Sequence, residues 1–106
     1  MKIKLRAWDK TENRMIEWDD FDDYPWLYDI LSQIKYNSDS VEFLLFTGIK
    51  DKNGVEIYEG DIIFIPYNRL GHHAVVFKNG KFSATNFDIK QIEVKGNIHQ
   101  NPELLK

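Results

Sequence analysis

The sequence predicts an α+β protein that is mostly β, with a small antiparallel barrel in its C-terminal half and a smaller N-terminal part of short strands and one helix. Two observations carry this prediction. After Gly60, short apolar segments alternate with tight turns, as in a strongly bent sheet. Before Asn37, one segment repeats apolar residues with helical spacing. We expect a single domain over residues 1–106, with a strand and helix subdomain at 1–40 and a barrel-like subdomain at 41–106.

The first element is a strand at residues 3–7, where apolar and charged side chains alternate with period two. A polar, turn-rich segment follows at 9–13, and Met15, Ile16 and Trp18 then fit a short returning strand. The N-terminus is therefore predicted to be a hairpin.

A helix is predicted to begin at Pro25, which the first helical turn tolerates because its N–H would have no partner there. Asp22 or Asp23 can cap this helix or offset its positive end. The polar segment 37–40 ends the helix and marks the subdomain boundary. The apolar face repeats at helical spacing through Trp26, Leu27, Ile30, Leu31 and Ile34.

The barrel-like part begins with predicted strands around a first Asn-Gly pair. The apolar segment 41–46 has strand character, and Asn53-Gly54 predicts a hairpin because this pair suits turns with positive φ. Gly60 permits a sharp corner before residues 62–65. The uninterrupted apolarity of that segment indicates a strand covered on both faces.

The second Asn-Gly pair, Asn79-Gly80, predicts a two-residue turn. Such a turn places Phe77 opposite Phe82, and Val75 opposite Ala84, on one face of the hairpin.

The last strand is predicted at residues 92–98, where apolar and polar residues alternate. Gly96 marks a bend or bulge within it, and Pro102 begins a short terminal turn.

The composition describes a folded chain of 106 residues without cysteine. Hydrophobic residues make up 42% and aromatic residues 14%, enough apolar surface to offset the entropy of ordering the chain. The lack of cysteine excludes disulfides, thiolate zinc sites and cysteine nucleophiles. The first residues lack the apolar core of a signal peptide, and no apolar run reaches the roughly 18 residues of a membrane span. We expect an intracellular protein with no membrane partner.

Acidic residues concentrate in the first half of the chain, although the net charge is only −3. This distribution argues against the broad basic surface of a sequence-independent DNA binder. A solvated surface is the ordinary interpretation of such a run, and imitation of DNA is the functional alternative. The run has no lysine or arginine and comprises Glu17, Asp19, Asp20, Asp22, Asp23 and Asp29.

The sequence contains no motif for catalysis or for metal or cofactor binding. His72 and His73 are neighbours on a predicted strand, so their side chains point to opposite faces, and His99 is remote in sequence. We therefore predict no catalytic residue, no metal site and no cofactor. An enzymatic site assembled only by folding, from His72, His99 and distant carboxylates, is the third alternative.

Three groups of residues are candidates for partner binding. The first comprises aromatic residues that are hard to place in one core, and packing between sheet and helix is the alternative role. The second is a loop that offers an aromatic ring and a cation for a base or a phosphate. The third is a pair of lysines facing each other across the second hairpin turn. They are, in this order, Trp8, Trp18 and Tyr28; Tyr67 and Arg69; and Lys78 and Lys81.

Three motifs together are similar to the YopX-like family of small phage and prophage proteins. They are RAWD at 6–9, TGIKDKNGVEIYEGDII at 47–63 and VKGNIHQNPELL at 94–105. The resemblance implies a phage or prophage origin, expression in the cytoplasm of a bacterial host, and an SH3-like barrel in the C-terminal half. It brings no catalytic residues and no assigned activity.

The leading interpretation is a non-enzymatic module that binds protein and self-associates, because the chain is rich in aromatic residues and has no catalytic motif. Expected partners are further copies of the chain and a host or phage protein. The alternative is a nucleic-acid-associated role, either as a direct binder or as an acidic mimic of DNA. Direct binding would use Tyr67, Arg69, Lys78 and Lys81.

Overall fold

The computed structural model describes residues 3–32, 39–66, 71–86, 88 and 90–106. Within them, the chain forms nine β-strands, one α-helix and three short 3-10 helices. All strand pairs are antiparallel. The predicted class, mostly β with one helix, is confirmed.

The strands are β1 (Leu5–Asp9), β2 (Arg14–Ile16), β3 (Val41–Lys50), β4 (Glu56–Tyr58), β5 (Asp61–Phe64), β6 (His72–Ala74), β7 (Phe77–Lys78), β8 (Lys81–Phe82) and β9 (Glu93–Asn97). Helix α1 spans Trp26–Ser32, and the 3-10 helices span Trp18–Asp23, Ser83–Asn86 and Pro102–Leu105. No helix among the described residues is long and apolar enough to cross a membrane.

The chain divides into two compact units, Met1–Leu45 and Phe46–Lys106. Strand β3 contributes its first half to the first unit and its second half to the second.

In the first unit, β1 lies between β2 and β3. Ala7 is opposite both Ile16 and Phe43, so the three strands present apolar side chains to the same face. The 3-10 helix and α1 add buried side chains to this face. The resulting core comprises Leu5, Ala7, Ile16, Phe21, Leu27, Val41 and Phe43.

Asp9 builds the hairpin turn between β1 and β2. One carboxylate oxygen accepts from the backbone N–H groups of Thr11 and Glu12, at 3.1 and 3.2 Å, and the other accepts from the Arg14 Nε at 3.1 Å. This network closes the turn within the polar segment, as predicted. These three hydrogen bonds give the Asp of the RAWD motif a local structural role.

The boundaries of the N-terminal hairpin differ from the prediction. Ile3 precedes β1 and is exposed, and β2 ends at Ile16. Trp18 begins a 3-10 helix, so its placement in the returning strand is wrong. The reason is local, since the Asp20 N–H bonds the Glu17 carbonyl at 3.0 Å and turns the chain away from the sheet.

Helix α1 confirms the helix predicted after Pro25. The Tyr28 N–H donates to the Pro25 carbonyl at 3.1 Å, and Leu27 is fully buried against the first core. The predicted continuation to Ile34 lies outside the described residues.

In the second unit, β5 lies between β6 and β9 and fills the core. Ile62 and Ile63 are neighbours on opposite faces of β5, and both are fully buried, which confirms a strand covered on both sides. The β5–β9 register shifts between these two residues, next to Gly96, so the predicted bulge is confirmed. The core comprises Ile57, Ile63, Ile65, Val75, Ala84 and Ile92.

The Asn79-Gly80 turn confirms the predicted two-residue hairpin. Both residues have positive φ, 56° and 81°, and Phe77 is opposite Phe82. The pairing of Val75 with Ala84 is wrong, because Ala84 lies in the 3-10 helix that follows β8.

Ser83 is the reason that the ladder of this hairpin is interrupted. Its N–H donates to the Val76 carbonyl, and its hydroxyl accepts from the Val76 N–H at 3.1 Å. A side chain thus replaces a strand partner. Phe77 is consequently exposed, whereas the prediction placed it on one face with the buried Val75.

The Asn53-Gly54 pair also lies in a hairpin, between β3 and β4, as predicted. The loop covers five residues, 51–55, and only its glycine has positive φ. The carboxylate of Asp51 accepts backbone N–H groups from Asn53 and Val55, at 2.8 and 2.9 Å, and from Val94 of β9 at 2.8 Å. This turn is therefore tied to the rest of the second unit.

The C-terminal segment is held by asparagine side chains. The Asn97 Oδ1 accepts from the N–H groups of His99 and Gln100, at 3.0 and 2.9 Å, and the Asn101 Oδ1 accepts from the Asn97 N–H at 3.2 Å. An added Cβ at Gly96 would lie 2.6 Å from the Asn101 Cγ, so a larger residue does not fit there. The predicted terminal turn at Pro102 is a 3-10 helix.

Candidate functional site

The aromatic candidates of the first unit are placed differently from one another. Trp8 is only 8% exposed, because Met15 and Glu42 flank it on the neighbouring strands. Trp18 is half-buried and packs on Phe21, with ring centroids 5.1 Å apart. Both tryptophans thus pack within this unit. The exposed aromatic candidate is Tyr28, with 43% of its surface accessible.

Tyr28 lies within an exposed acidic surface. Its hydroxyl donates to the Asp22 Oδ1 at 2.9 Å, and this hydrogen bond is the main cause that raises the pKa of Tyr28 above its ordinary 10.0. Trp26 is exposed beside it in sequence. We call this region the acidic surface; it comprises Asp19, Asp20, Asp22, Asp23, Trp26, Tyr28 and Asp29.

Lys78 and Lys81 lie directly opposite each other across the β7–β8 hairpin, as predicted, and both are exposed. Tyr67 and Arg69 lie outside the described residues.

The β7–β8 hairpin exposes apolar side chains beside these lysines. Val76 and Phe77 each expose 48% of their surface, and the rings of Phe77 and Phe82 are 4.8 Å apart at a tilt of 59°. Exposed apolar groups beside charged ones mark candidate binding surfaces. We call this region the hairpin surface; it comprises Val76, Phe77, Lys78, Lys81 and Phe82.

A second candidate in the same unit is an open groove of about 350 Å³ on the β5–β6–β9 sheet. Phe64 is at its centre, opposite His72 on β6 and Glu93 on β9. The Phe64 and His72 rings are 5.3 Å apart. The groove is lined by Lys52, Phe64, Pro66, His72, Gln91, Glu93 and Lys95.

Glu93 organises the charges of this groove. Its Oε2 accepts the Lys95 Nζ at 2.9 Å and lies 3.9 Å from the Lys52 Nζ, and its Oε1 accepts the Asn53 Nδ2 at 3.3 Å. The Lys95 hydrogen bond is the largest influence that lowers the pKa of Glu93, and the charge of Lys52 acts in the same direction. Two ammonium groups therefore converge on one carboxylate oxygen.

Sequence reasoning missed the groove. One signal could have indicated it. Phe64 lies between Ile63 and Ile65, which are both fully buried, and because successive side chains of an extended chain alternate, the Phe64 ring must point to the opposite face. The neighbours of Phe64 come from residues 72 and 93, and no local pattern links them.

The histidines do not converge on a metal site. His72 is opposite Phe64 and His73 is opposite Ile63, so the two rings lie on opposite faces of the sheet, as predicted. Within the described part of the chain, no group of three or more histidine, cysteine, aspartate or glutamate residues could hold a metal ion.

The buried polar residues support turns. In the part of the chain that the structure describes they are Asp9, Asp51, Asp61 and Asn97, and each falls within one of the three sequence motifs. Asp61, for example, accepts the Tyr58 N–H at 2.8 Å across the Gly60 corner. The motifs thus preserve backbone geometry, while the hairpin surface and most of the groove lie outside them.

Comparison with known proteins gives the family. A family model described as YopX protein matches residues 4–106. The chain belongs to the YopX family. The crystal structure of protein EF1440 from Enterococcus faecalis is similar to this YopX-family chain, with 25% sequence identity and a TM-score of 0.66. The match covers 100% of this chain and 99% of that one. A search of curated proteins gave no match.

Proposed function

We propose that this YopX-family protein is a non-enzymatic interaction module that self-associates through the hairpin surface. The supporting observation is the exposure of Val76 and Phe77 beside the exposed pair Lys78 and Lys81 of a two-residue hairpin. Burial of such apolar groups by a partner lowers the free energy, because it removes them from water. Phe77 is the expected anchor, because aromatic residues dominate the binding energy of many interfaces.

The positive charges of the hairpin surface favour the acidic surface of a second copy as its binding partner. Two hairpin surfaces in contact would bring four lysines together, which is unfavourable. The acidic surface offers five aspartates with exposed Trp26 and Tyr28. Contact between Lys78, Lys81 and these aspartates pairs opposite charges around an aromatic centre. Because the two patches differ, each such contact joins the hairpin surface of one copy to the acidic surface of another.

The finer parts of the proposal concern fold and origin. We propose that the second unit is an SH3-like barrel, supported by its short antiparallel strands and the bulge beside Gly96. The resemblance to phage and prophage proteins supports a phage or prophage origin and action in the cytoplasm of the bacterial host. A host or phage protein with an acidic, aromatic face would be an additional partner for the hairpin surface.

The test is the solution mass measured by light scattering over a range of concentrations. We expect the wild-type mass to rise above the 12.6 kDa of one chain. K78E/K81E should weaken association at least about tenfold. K90E/K106E is the matched control, because it changes the net charge equally at exposed lysines outside both patches.

Charge restoration makes the test specific. D20K/D23K should also weaken association, and a mixture of this variant with K78E/K81E should restore it, because each variant supplies the charge that the other has lost. A wild-type mass of one chain at every concentration would overturn self-association. Failure of the mixture to associate would overturn the acidic surface as the occupant.

A further inference from the structure

We propose that the groove on the β5–β6–β9 sheet binds a nucleotide, with its base on Phe64 and His72 and its phosphate at Lys52 and Lys95. This goes beyond the proposed function, since the groove shares no residue with the hairpin surface. The ligand class is a planar aromatic base joined to a phosphate, either free or as one unit of a single-stranded nucleic acid.

The aromatic half of the groove fits a base. Phe64 and His72 are paired across β5 and β6, with ring centroids 5.3 Å apart and planes tilted by 57°, so a base that stacks on one ring meets the other at an angle; both are partly exposed. Bases stack on such rings on open sheet surfaces, whatever the base, because every base has a π-face. The amide of Gln91, at the edge of the groove, can both donate to and accept from a base edge.

The cationic half fits a phosphate. Lys52 and Lys95 approach the same Oε2 of Glu93, so a single oxyanion is already accommodated between the two ammonium groups. A phosphate oxygen has the same acceptor chemistry as this carboxylate oxygen. Glu93 therefore acts as an internal anion that competes with the ligand for both lysines.

The combination favours a nucleotide over an acidic peptide. An aspartate or glutamate side chain would use the lysines and leave the ring pair unoccupied, whereas a nucleotide uses both. The groove volume of about 350 Å³ lies within the range of small-molecule sites, which begins at about 300 Å³.

Because Glu93 competes with the ligand for the lysines, its removal should raise the affinity for AMP. A purely structural role of Glu93 would not produce this rise. Removing its charge by E93Q frees both lysines, so we expect affinity for AMP to rise about threefold or more. K52Q and K95Q should each lower it about tenfold, as should F64L, which keeps an apolar side chain but removes the ring. K106Q, at an exposed lysine outside the groove, is the control.

The experiment titrates the full chain with AMP, with inorganic phosphate and with a short labelled single strand of oligo(dA). Amide NMR spectra report the fold of each variant and locate the shifts, expected around Phe64, His72 and Glu93. AMP binding as tight as the oligonucleotide would assign a free nucleotide. Tighter oligonucleotide binding that weakens steeply with salt would assign single-stranded nucleic acid.

Two results would overturn nucleotide binding as such. One is the absence of binding by both AMP and the oligonucleotide. The other is binding of inorganic phosphate as tight as AMP with no effect of F64L, because the base would then contribute nothing. An unchanged or lower AMP affinity in E93Q would also contradict the assigned geometry.

Discussion

The two Asn-Gly hairpins of the second unit share a dipeptide and differ in almost everything around it. The first, at Asn53-Gly54, is fixed by the carboxylate of Asp51, which accepts three backbone N–H groups, one of them from β9. The second, at Asn79-Gly80, is a two-residue turn with both residues at positive φ and exposed side chains on either side. The buried carboxylate of one turn is bonded to a distant strand, and the other turn carries exposed apolar and basic side chains.

This difference shows that a turn motif predicts a reversal of the chain but not its role. The role is decided by the residues that flank the dipeptide. In the first hairpin, Asp51 is only 6% exposed, and both of its carboxylate oxygens accept hydrogen bonds from backbone N–H groups. In the second, the flanking residues are lysines and phenylalanines, of which Phe77, Lys78 and Lys81 are exposed.

The largest expected effect comes from breaking the anchor of the first hairpin. D51A removes the acceptor of three N–H groups in a mostly buried position, so we expect the free energy of unfolding to fall by about 3 kcal/mol. Urea unfolding followed by circular dichroism measures it. D51N, which keeps one carbonyl oxygen for the Asn53 and Val55 N–H groups, should cost about half as much. Equal stability of D51A and wild type would show that the turn does not depend on Asp51.

A smaller effect separates the two asparagines. N79A replaces asparagine, whose side chain tolerates the left-handed region, with alanine, which disfavours it, and should cost about 1 kcal/mol. N53A changes a residue without positive φ and removes one exposed contact with Glu93, so it should cost less than about 0.5 kcal/mol. Thermal unfolding of the two variants side by side tests the order, and a larger loss in N53A would contradict it.

The smallest effect is a pH dependence at the loop of the first hairpin, where Lys52 and Asn53 contact Glu93. Lys95 and Lys52 hold the pKa of Glu93 below its ordinary 4.5, so the ionised carboxylate stabilises the folded chain above that pH. The contribution is lost as the pH falls through the lowered pKa of the folded state. The melting temperature of wild type should therefore exceed that of E93Q at neutral pH, and the two should converge in acid. A constant difference across the range would exclude this linkage.

The sequence predicted much of the fold and little of the candidate sites. Helix α1, both hairpins, the strand covered on both faces and the bulge at Gly96 follow from periodicity and turn chemistry, and the structure confirms them. The pairing of Lys78 with Lys81 also followed from the two-residue turn. The exposure of Phe77 and the burial of Trp8 did not follow, because each depends on which neighbouring strand or side chain covers the residue.

The sequence by itself determined the family and the places where the chain turns, because glycine, asparagine and buried aspartate restrict the backbone within a few residues. Tertiary structure decided which side chains meet. The Asp51 carboxylate reaches the Val94 N–H across 43 positions. Phe64, His72 and Glu93 share a face through the registers of three strands. Contacts of this kind depend on the alignment of distant segments, which local patterns leave undetermined because one residue of register reverses every face.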